Sequence, residues 1–262
     1  MLAYERHGAG EPVVLLHGLG NSRRAWDPVL PHLTDGREII ALDLPGFGES
    51  PDLDPAIPRD LPTAAALLGS VFPALGLRRP HVVGHSLGGL IALRLGQAGL
   101  ARSVTALAPA GFWSEAERRY AYAVLNAVRR GSRVLPDAVL QPSVESGAEA
   151  AAGGRRAQAL RSRYLSPELL ADLRAMRDAT GFEAVLEAGR LGGLFTGDIP
   201  DVPVTIAWGS RDGLLPRWQS NRVRALIPHA RQVVLPGCGH VPFRRAPGLV
   251  ARVILDGTGK TN

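Results

Sequence analysis

Three residue types spread over more than half of the chain could together cleave an acyl bond. Ser86 stands in Val82-Val83-Gly84-His85-Ser86-Leu87-Gly88-Gly89, an apolar run that ends in Gly-x-Ser-x-Gly and passes into the helical stretch Gly89 to Leu95. Such a strand-to-helix turn strains its central residue and lifts the hydroxyl above a sheet. The positions two before and two after must be glycine, because a Cβ there would collide with neighbouring chain. Asp212 lies in Trp208-Gly209-Ser210-Arg211-Asp212 and His240 in Pro236-Gly237-Cys238-Gly239-His240, each just past an apolar run. A serine hydroxyl is scarcely ionised at neutral pH and needs a base within hydrogen-bond reach. Histidine suits that work, with an ordinary pKa of about 6.5. A carboxylate on its other ring nitrogen fixes the tautomer and stabilises the imidazolium that forms. The rival position for the acid, after Ala108, reads Pro109-Ala110-Gly111 and offers no carboxylate; Glu115 lies further on.

Attack on a carbonyl also needs donors for the oxyanion. The backbone N–H of Leu87, at the helix start after the nucleophile, is one candidate. The loop His17-Gly18-Leu19-Gly20, after the first buried apolar run, supplies the N–H of Leu19 as the second. Cys238 sits two residues before the base, where a thiol could not replace Ser86; it reads as a small buried residue.

The elements that must carry these groups are legible as alternation. Pro12 to His17, Glu38 to Asp43, His81 to Val83, Ser103 to Ala108, Val202 to Trp208 and Gln232 to Leu235 read as buried strands. Residues 25–33 read as a short helix and residues 63–76 as a longer one. Strands alternating with helices predict an α/β fold with a parallel sheet covered on both faces. Residues 111–199 break the pattern: no convincing strand, much charge, and several amphipathic helices separated by Gly131, the Pro136 and Pro142 region and the segment 147–154. The expected organisation is a core of residues 1–110 and 200–262, with 111–199 inserted as a helical cap over the sheet's carboxyl edge.

Composition narrows the class. The chain has 262 residues, 45% of them hydrophobic, and a formal charge of +6 in which Lys260 is the only lysine. The arginines are dispersed and no basic run is interleaved with aromatics, so nucleic acid is not an expected partner. No apolar run approaches the roughly 18 residues a membrane span requires. The start lacks the layout of a secretory signal and a single cysteine allows no internal disulfide, so a soluble cytoplasmic protein is expected.

Taken in order, His17-Gly18-x-Gly20 with Trp26, Asp43-Leu44-Pro45-Gly46-Phe47-Gly48-x-Ser50, Gly84-His85-Ser86-Leu87-Gly88-Gly89, Trp208-Gly209-x-x-Asp212 and Gly239-His240-x-Pro242 resemble the α/β-hydrolase superfamily, in its capped, esterase-like branch. The likeness covers nearly the whole chain apart from the cap. It implies an eight-stranded, mostly parallel sheet, a metal-independent Ser-His-Asp mechanism and no cofactor. In that branch the loop around Asp43 is mainly structural, and relatives often carry an acidic residue about where Arg245 lies.

The expected activity is hydrolysis of carboxylic esters of small or medium size through an acyl-enzyme on Ser86. The same triad would serve a thioesterase or acyltransferase, a carbon–carbon bond hydrolase or a perhydrolase. A non-catalytic ligand receptor is the reading from another class. In the cap, Phe112, Trp113, Tyr120, Tyr122, Tyr164, Met176, Phe182 and Phe195, with Val241 from the core, are candidates for a substrate pocket. Arg118, Arg119, Arg129, Arg130, Arg155, Arg156, Arg161 and Arg163 read as a solvated helix face, with an acidic substrate group or an acyl-carrier partner as the functional alternative.

Overall fold

Side-chain alternation along short apolar strands builds the two faces of the sheet. In β2 (Glu11–Leu16), Val14 and Leu16 pack into one core cluster and Val13 and Leu15 into the other, all fully buried. β3 (Arg37–Leu42) divides likewise, with Ile40 and Leu42 on one face and Ile39 and Ala41 on the other. Strands that bury both faces belong to a sheet sandwiched by helices. Each buried Val, Leu or Ile among them stabilises the fold by about 1.5–3 kcal/mol relative to exposure.

The structure, a computed structural model, describes residues 1–136 and 166–259. β1 (Tyr4–Gly8), β2, β3, β4 (His81–His85), β5 (Ser103–Leu107), β6 (Val204–Gly209) and β7 (Arg231–Leu235) form one sheet in the order β1-β3-β2-β4-β5-β6-β7. Only β1 runs antiparallel, against β3; all other pairs are parallel. One face is covered by α1 (Leu61–Ala74), α2 (Leu87–Gln97) and α6 (Ser220–Leu226), the other by α7 (Pro247–Gly257) and the turns around Trp26 and Leu33. Between β5 and β6 lie α3 (Glu115–Val134), α4 (Pro167–Asp178) and α5 (Phe182–Gly192), with no strand among the described residues there.

The sheet therefore has seven strands among the described residues, one fewer than the resemblance implied, and residues 1–3 ahead of β1 form none. The short helix expected over residues 25–33 is instead two 3₁₀ turns, Arg23–Trp26 and Leu30–His32. Pro28 and Pro31 lack the N–H groups that a continuous α-helix would use there. Gly131 does not separate helices; it lies inside α3, where a Cβ would meet nothing. α3 starts at a capping box, with Ser114 accepting from the Glu117 N–H and Glu117 accepting from the Ser114 N–H. Tyr164, Arg155, Arg156, Arg161 and Arg163 lie outside the described residues.

Candidate active site

β4 runs into α2 through a turn at Ser86, whose φ of 52° and ψ of −113° are rarely adopted by a residue with a side chain. The turn exists because its neighbours are small. A Cβ on Gly84 would fall within 3.0 Å of the Gly88 carbonyl, and one on Gly88 within 3.0 Å of the Leu16 carbonyl. The Ser86 N–H donates to the Leu107 carbonyl at 2.9 Å, pinning the turn to β5.

Two further loops bring polar side chains to that hydroxyl. His240 Nε2 lies 3.1 Å from Ser86 Oγ, and His240 Nδ1 lies 2.9 Å from Asp212 Oδ2. The other Asp212 oxygen accepts from the Leu214 and Leu215 N–H groups at 2.9 and 2.8 Å. The carboxylate is thus fixed by main chain and sheltered, at 7% exposure. Gly209 permits the close approach of the two loops, since a Cβ there would strike the Cys238 and Gly239 carbonyls. With the carboxylate as acceptor, Nδ1 carries the proton and Nε2 is left to accept from the serine.

Buried histidines frame this chain. His85 Nε2 lies 2.8 Å from the His240 carbonyl, and its ring packs 4.8 Å from His240 and 4.9 Å from Phe243. Burial, helped by the neighbouring His240, pushes its pKa down to about 3, so it stays neutral and donates from Nε2. His17 is also held below its ordinary pKa by burial. Its Nδ1 faces the Gly18 carbonyl at 2.7 Å and its Nε2 accepts from the Leu44 N–H at 3.0 Å, joining the loops after β2 and β3. Asp43 is fully buried and accepts from the Arg23 guanidinium and from the Arg23 and Glu49 N–H groups, away from the serine. Cys238 is buried, and burial raises its thiol pKa.

Two hollows meet at Ser86. One, about 50 Å³, is lined by Leu19, Leu87, Trp113, Tyr122, Leu125, Val185, Leu186 and Leu214. The other, about 180 Å³, is lined by Leu19, Asn21, His240, Val241, Leu169, Asp172 and Met176. Neither the Leu19 nor the Leu87 N–H donates a hydrogen bond to another described residue. Of the residues expected to line a pocket, Trp113 borders the first hollow and Met176 and Val241 the second, while Phe112, Phe182 and Tyr120 border neither. Phe112 is sealed in the core against Phe195, with ring centres 5.4 Å apart. Phe182 is fully buried beneath the Arg129 guanidinium. Tyr120 is 54% exposed, because two residues along a helix is more than half a turn from Tyr122, which takes the inward place.

Arg129 also departs from the solvated face expected of it. It is 3% exposed, paired with Glu183 and donating to the Met176 and Ala179 carbonyls, so it ties α3 to the α4–α5 corner. Sequence reasoning missed Asp172, which accepts from Asn21 Nδ2 at 3.3 Å and from both terminal nitrogens of Arg244. It links α4 to the loop bearing Leu19 and to the segment after His240. It also missed Leu125, which borders both hollows, and Val128, which borders the second, though both follow Tyr122 at a three-residue step that marks one helix face.

A strained serine elbow at the carboxyl edge of a mostly parallel sheet, with an acid and a histidine delivered by later loops, defines a class, and the sequence agrees. Residues 13–253 match the alpha/beta hydrolase family, and the chain belongs to it. Among curated relatives, the pimeloyl-[acyl-carrier protein] methyl ester esterase of Aeromonas hydrophila is 29% identical over 261 residues, covering 97% of each chain. The dihydrolipoyllysine-residue acetyltransferase component of the acetoin cleaving system of Pseudomonas putida is 28% identical over 246 residues. That match takes in 88% of this chain but only 59% of the relative's length. A thermophilic esterase from Thermogutta terrifontis shares the fold at a TM-score of 0.67 and 24% identity, over 97% of this chain and 92% of its own. The protein is an alpha/beta hydrolase with esterase-like homologues, and among its described residues no helix is long and apolar enough to cross a membrane.

Proposed function

We propose that this hydrolase cleaves carboxylic esters of small or medium size through a covalent acyl-enzyme on Ser86. The observation that carries the reading is the unbroken polar chain Ser86 Oγ, His240 Nε2, His240 Nδ1, Asp212 Oδ2, with links of 3.1 and 2.9 Å. Ser86 Oγ attacks the ester carbonyl carbon while its proton passes to His240 Nε2. The carbonyl π pair moves onto oxygen, where the Leu19 and Leu87 N–H groups receive it. Collapse of the tetrahedral intermediate breaks the ester C–O bond, and His240 returns the proton to the departing alkoxide. Water then attacks the acyl-enzyme with His240 again as base, freeing the acid and restoring Ser86.

The two hollows divide the substrate. A leaving oxygen must meet His240 Nε2, so the hollow lined by His240 and Val241 takes the alcohol. The hollow lined by Leu87, Leu125 and Leu186 then takes the acyl chain. α3, α4 and α5 serve as the cap that roofs both. An organophosphonate is expected to add irreversibly to Ser86, located by mass spectrometry, and Ser86→Ala to lose ester cleavage. An alanine variant as fast as the parent defeats the mechanism.

A substrate borne by an acyl-carrier protein is a second reading, favoured by the exposed Arg119, Arg130 and Arg133 on α3 and by the substrate in the Aeromonas relative's name. Turnover of carrier-bound acyl groups that falls with salt, while that of free neutral esters does not, supports it. Equal salt response refutes it.

A further inference from the structure

Beyond Ser86 and the indole of Trp113, the wall of the acyl-side hollow is hydrocarbon except at Tyr122. Tyr122 is 8% exposed, its ring set edge-on to Trp113 with centres 5.8 Å apart. Its hydroxyl hydrogen-bonds to no described residue, while its backbone carbonyl accepts from Asn126 Nδ2 at 2.8 Å. Unlike the indole N–H of Trp113, which is sealed and unpartnered, this hydroxyl stays accessible. Gly189 of α5 makes the space for it, because a Cβ there would lie within 3.0 Å of the phenolic oxygen.

On its far side the same tyrosine walls an outward hollow of about 390 Å³ rimmed by Arg118, Arg119 and Arg190. The Arg190 guanidinium stands 5.9 Å from the centre of the ring. Arg118 and Arg190 already hold Glu115 and Glu187, so neither is a bare anion trap. Burial pushes the Tyr122 pKa up to about 12, against the pull of those arginines, so the group is a neutral donor at neutral pH. A donor half out of water with no acceptor is a cost that a ligand oxygen would remove.

We propose that Tyr122 is a specificity-determining residue whose hydroxyl donates to an oxygen on the acyl chain beyond the scissile carbonyl. The substrates are then esters of keto, hydroxy or carboxy acids in preference to esters of plain fatty acids. The inference rests on the serine-ester reading, since it assigns the acyl chain to this hollow. A hydrogen bond of this kind is worth about 0.5–1.5 kcal/mol, or roughly two- to twelvefold in kcat/KM at one chain length.

The test is a graded set of p-nitrophenyl esters in three matched forms: plain alkanoate, keto acid and dicarboxylic monoester. Wild type is expected to favour an oxygenated form over the alkanoate of equal length by that factor. Tyr122→Phe, which keeps the ring, brings the ratio to about one. Gly189→Ala, which pushes the hydroxyl aside, does the same by another route. A dicarboxylate preference that fades with salt, beside a salt-insensitive keto preference, assigns the extra gain to the arginine field. If the ratio is unchanged in both variants, or wild type favours the alkanoate at every length, Tyr122 has no such role although the esterase mechanism stands. If no ester is cleaved and Ser86 resists the organophosphonate, the mechanism falls and takes this inference with it.

Discussion

His85 can be made to report on its own burial through the acid stability of the protein. In the unfolded chain its imidazole takes a proton near its ordinary pKa of about 6.5. In the folded chain burial, helped by the neighbouring His240, lowers that value to about 3. Between those limits the unfolded state binds one more proton at this site, so stability is full above the upper value and falls as pH drops. The slope approaches about 1.4 kcal/mol per pH unit, which makes the loss from pH 8 to pH 4.5 about 3 kcal/mol. Against a domain stability of about 5–15 kcal/mol that is a large fraction. His85→Gln keeps a donor for the His240 carbonyl and removes the titration. Urea unfolding of both proteins at several pH values gives the comparison. Wild type should lose about 3 kcal/mol more than the variant across that range, since His17, also buried and lowered, is present in both. Parallel losses would refute the assignment of His85 as a neutral buried group.

Two other substitutions probe the site. Asp212→Asn leaves the loop in place but lets Nδ1 lose its preference for carrying the proton, so kcat should fall about 10⁴-fold with Tm nearly unchanged. A drop of less than tenfold in steady-state assays would mean another group orients His240. Asp172→Ala removes the tie from α4 to Asn21 and Arg244; the pair is part-exposed and worth only about 0–1 kcal/mol, so thermal melts should move by a few degrees at most. Its kcat/KM for esters should nonetheless fall severalfold, because the loop bearing Leu19 loses an anchor. Unaltered kcat/KM would show that the tie is only decorative.

Ser86, Asp212 and His240 were readable because each sits in a short glycine-bearing loop straight after a strand; β4 and β6 are buried throughout, whereas β7, expected as buried, is an edge strand of which only Leu235 is buried. There local sequence and backbone geometry are nearly the same information. β1 was not readable, being a five-residue edge strand whose burial alternates between exposed and half-buried, which leaves little apolar signal. The insert was legible in kind but not in detail. Which side of α3 faces the site depends on how the helix lies over the sheet, so Tyr120 and Tyr122 could not be told apart by composition. Arg129 shows the same limit: a charge reads as solvated until Glu183 and two carbonyls are found beside it.

The missing side chain of Gly88 lets the first turn of α2 rest directly on the last carbonyls of β2. The two amides that flank the serine therefore hang from main-chain segments that touch each other, with no side chain interposed to set their spacing. Exchanging residues on α3 or α5 can reshape what is admitted without disturbing that separation. On the proposed reading, selectivity can then change without moving the groups that carry the chemistry.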